Sequence, residues 1–239
     1  MKYDSSKGIK FFFTLIAVFF LCVDCNKNID ALANKAYLSV TNISPNAPSL
    51  DILFDGNKLN TAGQLPYDST TGAPGNPYLI AVAGIHNFQL TSGSQPFVNG
   101  SIALLQLHHY SLFIYDSINN NTLKTLIVED VLNNPSDTLS FVRVLNFSDT
   151  SLSISMTNAT DTVRPVFARN ITTSTNPTSF GYSHIKQGSY HINAAVDANT
   201  VLDLDSLSVS GGKIYTVFIK GPARSTSSNL LSKGIILHN

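Results

Sequence analysis

Cysteine occurs only as Cys22 and Cys25, tryptophan is absent, and Glu129 is the single glutamate in 239 residues. Each shortage excludes something. With both cysteines in the first 25 residues, no disulfide framework can hold the rest of the chain, which must rely on its cores. The missing tryptophan removes the tryptophan-plus-disulfide core of antibody-type sandwiches, and it removes the commonest platform for stacking on sugars. A lone glutamate makes a glycosidase-type carboxylate pair hard to assemble except from aspartates. Charged residues amount to only 13% with a formal net charge of zero, and Lys and Arg stand singly, so there is no basic stripe to neutralise a nucleic acid. Catalytic signatures are missing too: there is no Gly-x-Ser-x-Gly elbow, no His-Glu-x-x-His helix and no phosphate-cradling glycine loop. No cofactor and no enzymatic activity is expected.

What is present begins with a targeting signal. Lys2, Lys7 and Lys10 precede an apolar run from Phe11 to Val23 that stops at Cys25, before the polar Asn26-Lys27-Asn28. This run is shorter than the roughly 20 apolar residues that span a bilayer. It reads as an export signal over residues 1–25 handing over to a lipidated Cys25, followed by a short tether over 26–35. Cys22 fits the lipidated position worse, because it lies inside the apolar run. Cleavage after Ala31-Leu32-Ala33 would instead release a soluble, secreted protein beginning at Asn34. The expected location is the cell envelope, as an outer-membrane lipoprotein on either face of that membrane.

The remaining chain contains a duplication. An offset of 104 aligns Asn42 with Asn146, Tyr78 with Tyr182 and Gly84 with Gly188, and an offset of 105 aligns Tyr110 and Phe113 with Tyr215 and Phe218. The turn-rich Asn133-Asn134-Pro135-Ser136 falls between copies spanning 36–132 and 137–239. Apolar residues recur at period two or in short runs bounded by Gly, Pro, Asn and Asp, with no sustained helical period, which predicts strands throughout. In the first copy these are Leu38 to Asn42, Leu50 to Phe54, Tyr78 to Val82, His86 to Leu90, Ile102 to Leu105, His109 to Tyr115 and Leu123 to Val128. In the second they are Phe141 to Asn146, Leu152 to Met156, Val163 to Phe167, Phe180 to Ile185, Tyr190 to Ala194, Ile214 to Ile219 and Gly234 to Leu237. Asp55-Gly56 and Ala83-Gly84 supply tight-turn residues. The fold class is therefore all-β, as two tandem sandwiches, with cores of alternating aliphatics plus Phe113, Phe141, Tyr215 and Phe218.

The stretch Val40-Thr41-Asn42-Ile43-Ser44-Pro45-Asn46-Ala47-Pro48-Ser49-Leu50-Asp51-Ile52-Leu53-Phe54-Asp55-Gly56 resembles the opening of a bacterial family known as domain of unknown function 4397, whose hallmark is Ser-Pro-x-Ala-Pro before Val-Asp-Val and then Asp-Gly. Tyr78-Leu79 with Val82-Ala83-Gly84 and Phe88 is similar to that family's tyrosine-to-Ala-Gly hairpin, and Tyr110 to Phe113 to its closing strand. The resemblance covers most of Ala36 to Val131. In the second copy Ser148-Asp149-Thr150 stands where the proline motif would be, and no Asp-Gly follows Met156. The resemblance implies tandem immunoglobulin-like antiparallel sandwiches, extracytoplasmic and often lipoproteins of Bacteroidetes-type bacteria, and it implies no activity. Pro45 and Pro48 have a plain role in keeping a loop extended between strands.

Candidate sites are few. His184 and His191 would be cross-strand partners if Lys186 to Ser189 formed a hairpin turn, but two imidazoles lack the third and fourth ligands of a zinc site. His108 and His109 point to opposite strand faces. Asp203 and Asp205 share a face without a calcium-type loop, and Asp51 and Asp55 fit hairpin geometry, so no metal is expected. Tyr67, Tyr78 and Phe97 are the loop-proximal aromatics nominated for a ligand. Five Asp-Ser or Asp-Thr steps nominate Ser69, Ser117, Thr138, Thr162 and Ser206 for O-glycosylation, against the alternative that such pairs simply initiate turns. The expected function is a lipid-anchored envelope interaction module, with a glycan or an outer-membrane protein complex as partner. The rival is a structural or adhesive spacer with no small ligand.

Overall fold

The computed structural model describes residues 34–119, 122–133, 135–159, 162–163, 167–168, 174–195, 201–222 and 231–238. The expected signal, the tether and Cys25 lie outside the described residues. Among the described residues no helix is long and apolar enough to cross a membrane.

In the first copy, β1 (Lys35–Asn42), β4 (Ser69–Thr70), β5 (Leu79–Val82), β8 (His109–Asn119) and β9 (Thr122–Asp130) make one sheet. The facing sheet holds β2 (Asp51–Phe54), β3 (Asn57–Lys58), β6 (Gly84–Ser92) and β7 (Gln95–Leu104). Strand alternation explains the core between them: Ala36, Leu38 and Val40 of β1, Tyr110, Leu112 and Ile114 of β8, and Phe88 and Leu90 of β6 all point inward. Asp55 and Gly56, at φ 50° and 79°, close the two-residue β2–β3 hairpin, a backbone twist that matches the strands.

The second copy runs through the same order. One sheet contains β10 (Leu139–Asn146), β13 (Phe167–Ala168), β15 (Ser183–Lys186), β18 (Ile214–Lys220) and β19 (Ser232–Leu237). The other contains β11 (Ser153–Thr157), β12 (Thr162–Val163), β16 (Gly188–Ala195) and β17 (Val201–Val209). Most pairings are antiparallel, but β1 runs parallel to β8 with Tyr37 opposite His109, and β10 runs parallel to β18 with Phe141 opposite Ile214. Those are equivalent positions. An additional strand, β14 (Ser174–Ser179), leaves the second copy and pairs in parallel with β9 of the first.

The residues that mark the duplication each perform a repeated local task. Asn42 and Asn146 accept the N–H of the residue two further on, Ser44 at 3.2 Å and Ser148 at 3.0 Å, folding the chain out of its strand. Tyr110 and Tyr215 hydroxyls accept the N–H groups of Leu105 and Ser210, pinning the preceding loop. Gly84 and Gly188, at φ 135° and 152°, sit where the chain crosses from one sheet to the other.

Several expectations are corrected here. Ala83-Gly84 is not a hairpin turn, because β5 pairs with β1 while β6 pairs with β2 and β7 in the opposite sheet. For the same reason His184 on β15 and His191 on β16 belong to different sheets and are not cross-strand partners. In place of one strand from Val163 to Phe167, β12 ends at Val163 and β13 begins at Phe167 in a different sheet, and β3, β4, β14 and β17 add strands beyond those expected from the sequence. Phe113 and Phe218 lie in neither sandwich core, and Phe141 stacks on His184 at 4.3 Å, away from the core of its own copy. Only Tyr215 of the four aromatics packs in a sandwich core.

Candidate functional site

The β8 segment Tyr110 to Tyr115 and the whole of β18 are buried, with no exposed side of the usual alternation. Strands read this way when both sheet faces are covered. The second cover is the other copy. Ile43, Phe113, Tyr115, Leu126 and Val128 of the first copy pack against Leu145, Phe218 and Ile236 of the second. The copies meet through equivalent faces, since the Phe113 and Phe218 rings, 105 residues apart, touch edge to face at 5.7 Å. Contact between equivalent residues is the mark of a local two-fold arrangement. Gly234 occupies the spot where a Cβ would strike the Phe218 ring at 2.0 Å. Gly234→Ala is therefore expected to lower stability by about 1–3 kcal/mol through overpacking, read from the denaturant midpoint.

Beside this apolar seam lies a closed polar ring. Arg143, Asp130 and His238 have fully buried side chains. Arg143 Nη2 donates to Asp130 Oδ1, its Nη1 donates to the Glu129 carbonyl at 3.1 Å, and its Nε donates to Thr216 Oγ1 at 2.8 Å. Thr216 Oγ1 contacts His238 Nε2 at 2.7 Å, His238 Nδ1 contacts the Tyr78 hydroxyl at 2.6 Å, and Tyr78 reaches Asp130 Oδ2 at 2.8 Å. Ser111 donates to the same Oδ2 at 2.7 Å.

The proton positions follow from the ends. Arginine can only donate and an ionised carboxylate can only accept. Tyr78 therefore donates to Asp130, His238 donates from Nδ1 to Tyr78, and Thr216 donates to His238 Nε2. A neutral imidazole satisfies every position, and a second proton on His238 would oppose Thr216 and the nearby guanidinium. Burial, with Arg143 and His109 adding to it against the pull of Asp130, holds His238 down to about 4. Burial alone would raise the Asp130 carboxyl, but Arg143, His238 and the hydroxyls of Ser111 and Tyr78 outweigh it and hold it below the usual carboxylate range. Burial and the adjacent carboxylate push the Tyr78 phenol up, so it keeps its proton. Tyr182, the counterpart of Tyr78, lies with its ring 4.9 Å from the Arg143 guanidinium. Arg143, Asp130 and His238 are sealed from solvent.

A concave site opens elsewhere along the same junction. A cavity of about 430 Å³ is lined by Thr70 to Gly75 and Pro77 of the first copy and by Ile235, Ile236 and Leu237 of β19. Its first wall is rigid by construction. Ala73 and Asn76 exchange both backbone hydrogen bonds at 3.0 and 2.9 Å around Pro74-Gly75, with Gly75 at φ 81°. Thr71 is tied to Val40 and, through its hydroxyl, to the Pro77 carbonyl at 2.9 Å. Gly72, at φ 75°, leaves no room for a Cβ, which would meet the Asn76 oxygen at 2.4 Å. Gly72→Ala is expected to lower stability by at least about 1 kcal/mol, measured by thermal unfolding, because it combines positive φ with a backbone clash. The opposite wall, β19, is an edge strand among the described residues.

The nominated aromatics are not brought together. Tyr78 is part of the polar ring, Tyr67 sits 5.4 Å from the Lys220 ammonium beside the Lys220–Asp68 ion pair across the junction, and Phe97 packs on the first core. None lines the cavity. Of the glycosylation candidates, Thr138, Thr162 and Ser206 are exposed, Ser69 is half-buried on β4, and nothing is described of the Ser117 side chain. Asp68, Asp116 and Asp205, each preceding one of these serines, adopt φ 60°, 63° and 72°. Asp116 and Asp205 fall at register shifts in β8 and β17, which gives these Asp-Ser steps a backbone role as bulge formers. Asp203 reaches His191 at 3.4 Å, and among the described residues no three His, Cys, Asp or Glu side chains gather as a metal set.

A family model described as a domain of unknown function (DUF4397) matches residues 36–157, from β1 through β11. A comparison with curated proteins finds no match.

Proposed function

The chain belongs to the DUF4397 family, and from that premise we propose that it is a lipid-anchored interaction module of the cell envelope, exported by its first 25 residues, held at Cys25, and presenting two locked sandwiches to a protein partner. The observation that carries this reading is the cavity shared by the copies. Its volume lies within the roughly 300–1,000 Å³ of ordinary binding pockets, its second wall is an apolar edge strand, and its first wall is preformed. An edge strand beside an apolar groove suits an extended protein segment, which can add main-chain hydrogen bonds along β19 and bury alternate side chains. A glycan is disfavoured among the candidate ligands, because no aromatic ring lines the cavity to stack on a sugar face.

The test is cross-linking of tagged protein in the intact envelope, followed by mass spectrometry of the captured partners and of the bait's N-terminus. Ile235, 43% exposed on the cavity wall, is the residue to change. Ile235→Glu is expected to reduce capture of a specific outer-membrane partner about tenfold or more while the bait's N-terminal peptide remains acylated at Cys25. Unchanged capture would remove the cavity from the interaction.

A second reading, a structural spacer, is favoured by one specific feature: β14 and the buried polar ring fasten the copies into a single stiff unit. Absence of any specific partner in the same experiment would select it.

A further inference from the structure

Single exposed apolar residues are ordinary, but here they are gathered. Among the described residues, five of the eight large exposed hydrophobics, Val82, Ile85, Leu105, Leu107 and Val131, lie at one end of the first sandwich, and Ile80 extends the group along β5. The topology brings them there. This end collects the start of β1, the end of β5, the start of β6, the β7–β8 loop and the end of β9. Backbone hydrogen bonds fasten it: Ala83 N–H to the Asn34 carbonyl at 3.0 Å and Leu107 N–H to the Lys35 carbonyl at 2.6 Å.

The fold itself does not demand this apolar rim. In the second copy the same hydrogen bonds recur, with Gln187 N–H on the Thr138 carbonyl and Gly212 N–H on the Leu139 carbonyl, and Ser210 N–H meets the Tyr215 hydroxyl as Leu105 N–H meets that of Tyr110, so the positions correspond residue by residue. There Lys186 stands for Val82, Ser189 for Ile85, Ser210 for Leu105 and Gly212 for Leu107. One copy is apolar at this end and the other is not.

The rim surrounds Asn34, where the described chain begins. Asn34 lies nine positions after Cys25, a reach of roughly 30 Å at full extension. We propose that this end of the first sandwich seats on the lipid surface, with Ile85, Leu105 and Leu107 entering the headgroup boundary and the second copy held away from it. The proposal rests on the lipid-anchor reading given above. A bilayer is the occupant chosen because an anchored chain with a tether this short keeps its entry end near the membrane, where apolar side chains at the headgroup boundary add buried area to the attachment. The exposure of Ile85, at 78%, would otherwise face water without compensation.

The absence of tryptophan supplies the probe, since one introduced indole reports from a single place. Full-length chain purified from envelopes is placed in phosphatidylethanolamine–phosphatidylglycerol vesicles with brominated acyl chains, as Ile85→Trp and, at the equivalent exposed position of the second copy, as Ser189→Trp. The expected result is blue-shifted emission from Ile85→Trp and quenching roughly threefold stronger than from Ser189→Trp, which stays water-like. Equal quenching of the two would overturn the proposal. So would a blue shift for Ile85→Trp in native envelopes that disappears in pure lipid, because the occupant would then be a protein. The mass of the N-terminal peptide separates this from failure of the anchor reading. If Cys25 carries no acyl group, flotation with Ile85→Trp still quenched keeps the rim as a membrane contact, and a chain that does not float overturns it.

Discussion

Asp130→Ala and Arg143→Ala are each expected to lower the unfolding free energy by about 3–5 kcal/mol, the range for removing one partner of a buried ion pair. Both side chains are fully buried, so neither survivor can recover its hydration. Removing Asp130 leaves the guanidinium uncompensated and also strips an acceptor from Tyr78 and Ser111. Removing Arg143 leaves the carboxylate without its cation and empties the Thr216 hydroxyl of its donor. The pair as such contributes much less than this loss suggests, because its Coulomb attraction is largely offset by desolvation. Asp130→Leu combined with Arg143→Met is therefore expected to cost clearly less than Asp130→Leu and Arg143→Met measured singly and added, with a coupling of about 2 kcal/mol or more. Urea unfolding of the four proteins measures this, and strict additivity would show that the two side chains do not act as a pair.

This ring was only partly legible in the sequence. Tyr78 and Tyr182 stood out as repeat markers, yet their task is set by a contact between copies that local pattern cannot report. Arg143 carried a usable signal: a cation inside the apolar strand Phe141-Val-Arg-Val-Leu145 must be paired if buried, which predicts a carboxylate from elsewhere. The sequence places Phe113 and Phe218 in the expected cores, whereas strand parity sets them on the face opposite Leu112, Ile114, Val217 and Ile219. Asp55-Gly56 could be read correctly because a two-residue hairpin is a local object. Ala83-Gly84 could not, since a glycine at positive φ serves a hairpin and a sheet crossing alike. β17 is not legible as one strand because the bulge at Asp205 breaks its alternation. The cavity wall Gly72-Ala-Pro-Gly-Asn-Pro77 announces a turn, but the β19 strand opposite it comes from the other copy.

The local two-fold relation also explains why a duplicated chain can build this junction when two identical domains could not. His238 continues the β18–β19 register to the position that Asp130 holds on β9, and the two side chains meet at 3.8 Å. Two aspartates so placed would repel, as would two protonated histidines. Arg143 likewise occupies the place of Ser39 in the first copy, so the cation is present on one side only. Divergence between copies turns a like-on-like contact into a complementary one. The four groups at the centre of the ring, Arg143, Asp130, His238 and Tyr78, then hold one another's protonation states.

Acid is expected to weaken the protein before any carboxylate is neutralised, through His238. An unfolded imidazole binds a proton near pH 6.5, whereas folding holds His238 down to about 4. Between these values the unfolded chain binds the extra proton and the folded one does not, so stability falls as pH drops through the window, at up to about 1.4 kcal/mol per pH unit. The whole window amounts to about 3 kcal/mol. Below pH 4 this contribution stops growing, and Asp130, held below the usual carboxylate range, adds its own loss at still lower pH. His109, lowered chiefly by its burial, acts in the same direction, so the variant must isolate His238. His238→Gln does so, because the amide can donate to Tyr78 and accept from Thr216 without titrating. Denaturant midpoints from pH 7 to 4 are expected to fall markedly less steeply for His238→Gln than for the unaltered chain. Parallel curves would mean that His238 titrates in the folded protein as it does in the unfolded one, and a steeper fall for His238→Gln than for the unaltered chain would mean that it is charged when folded; either would overturn the proton assignment around the ring.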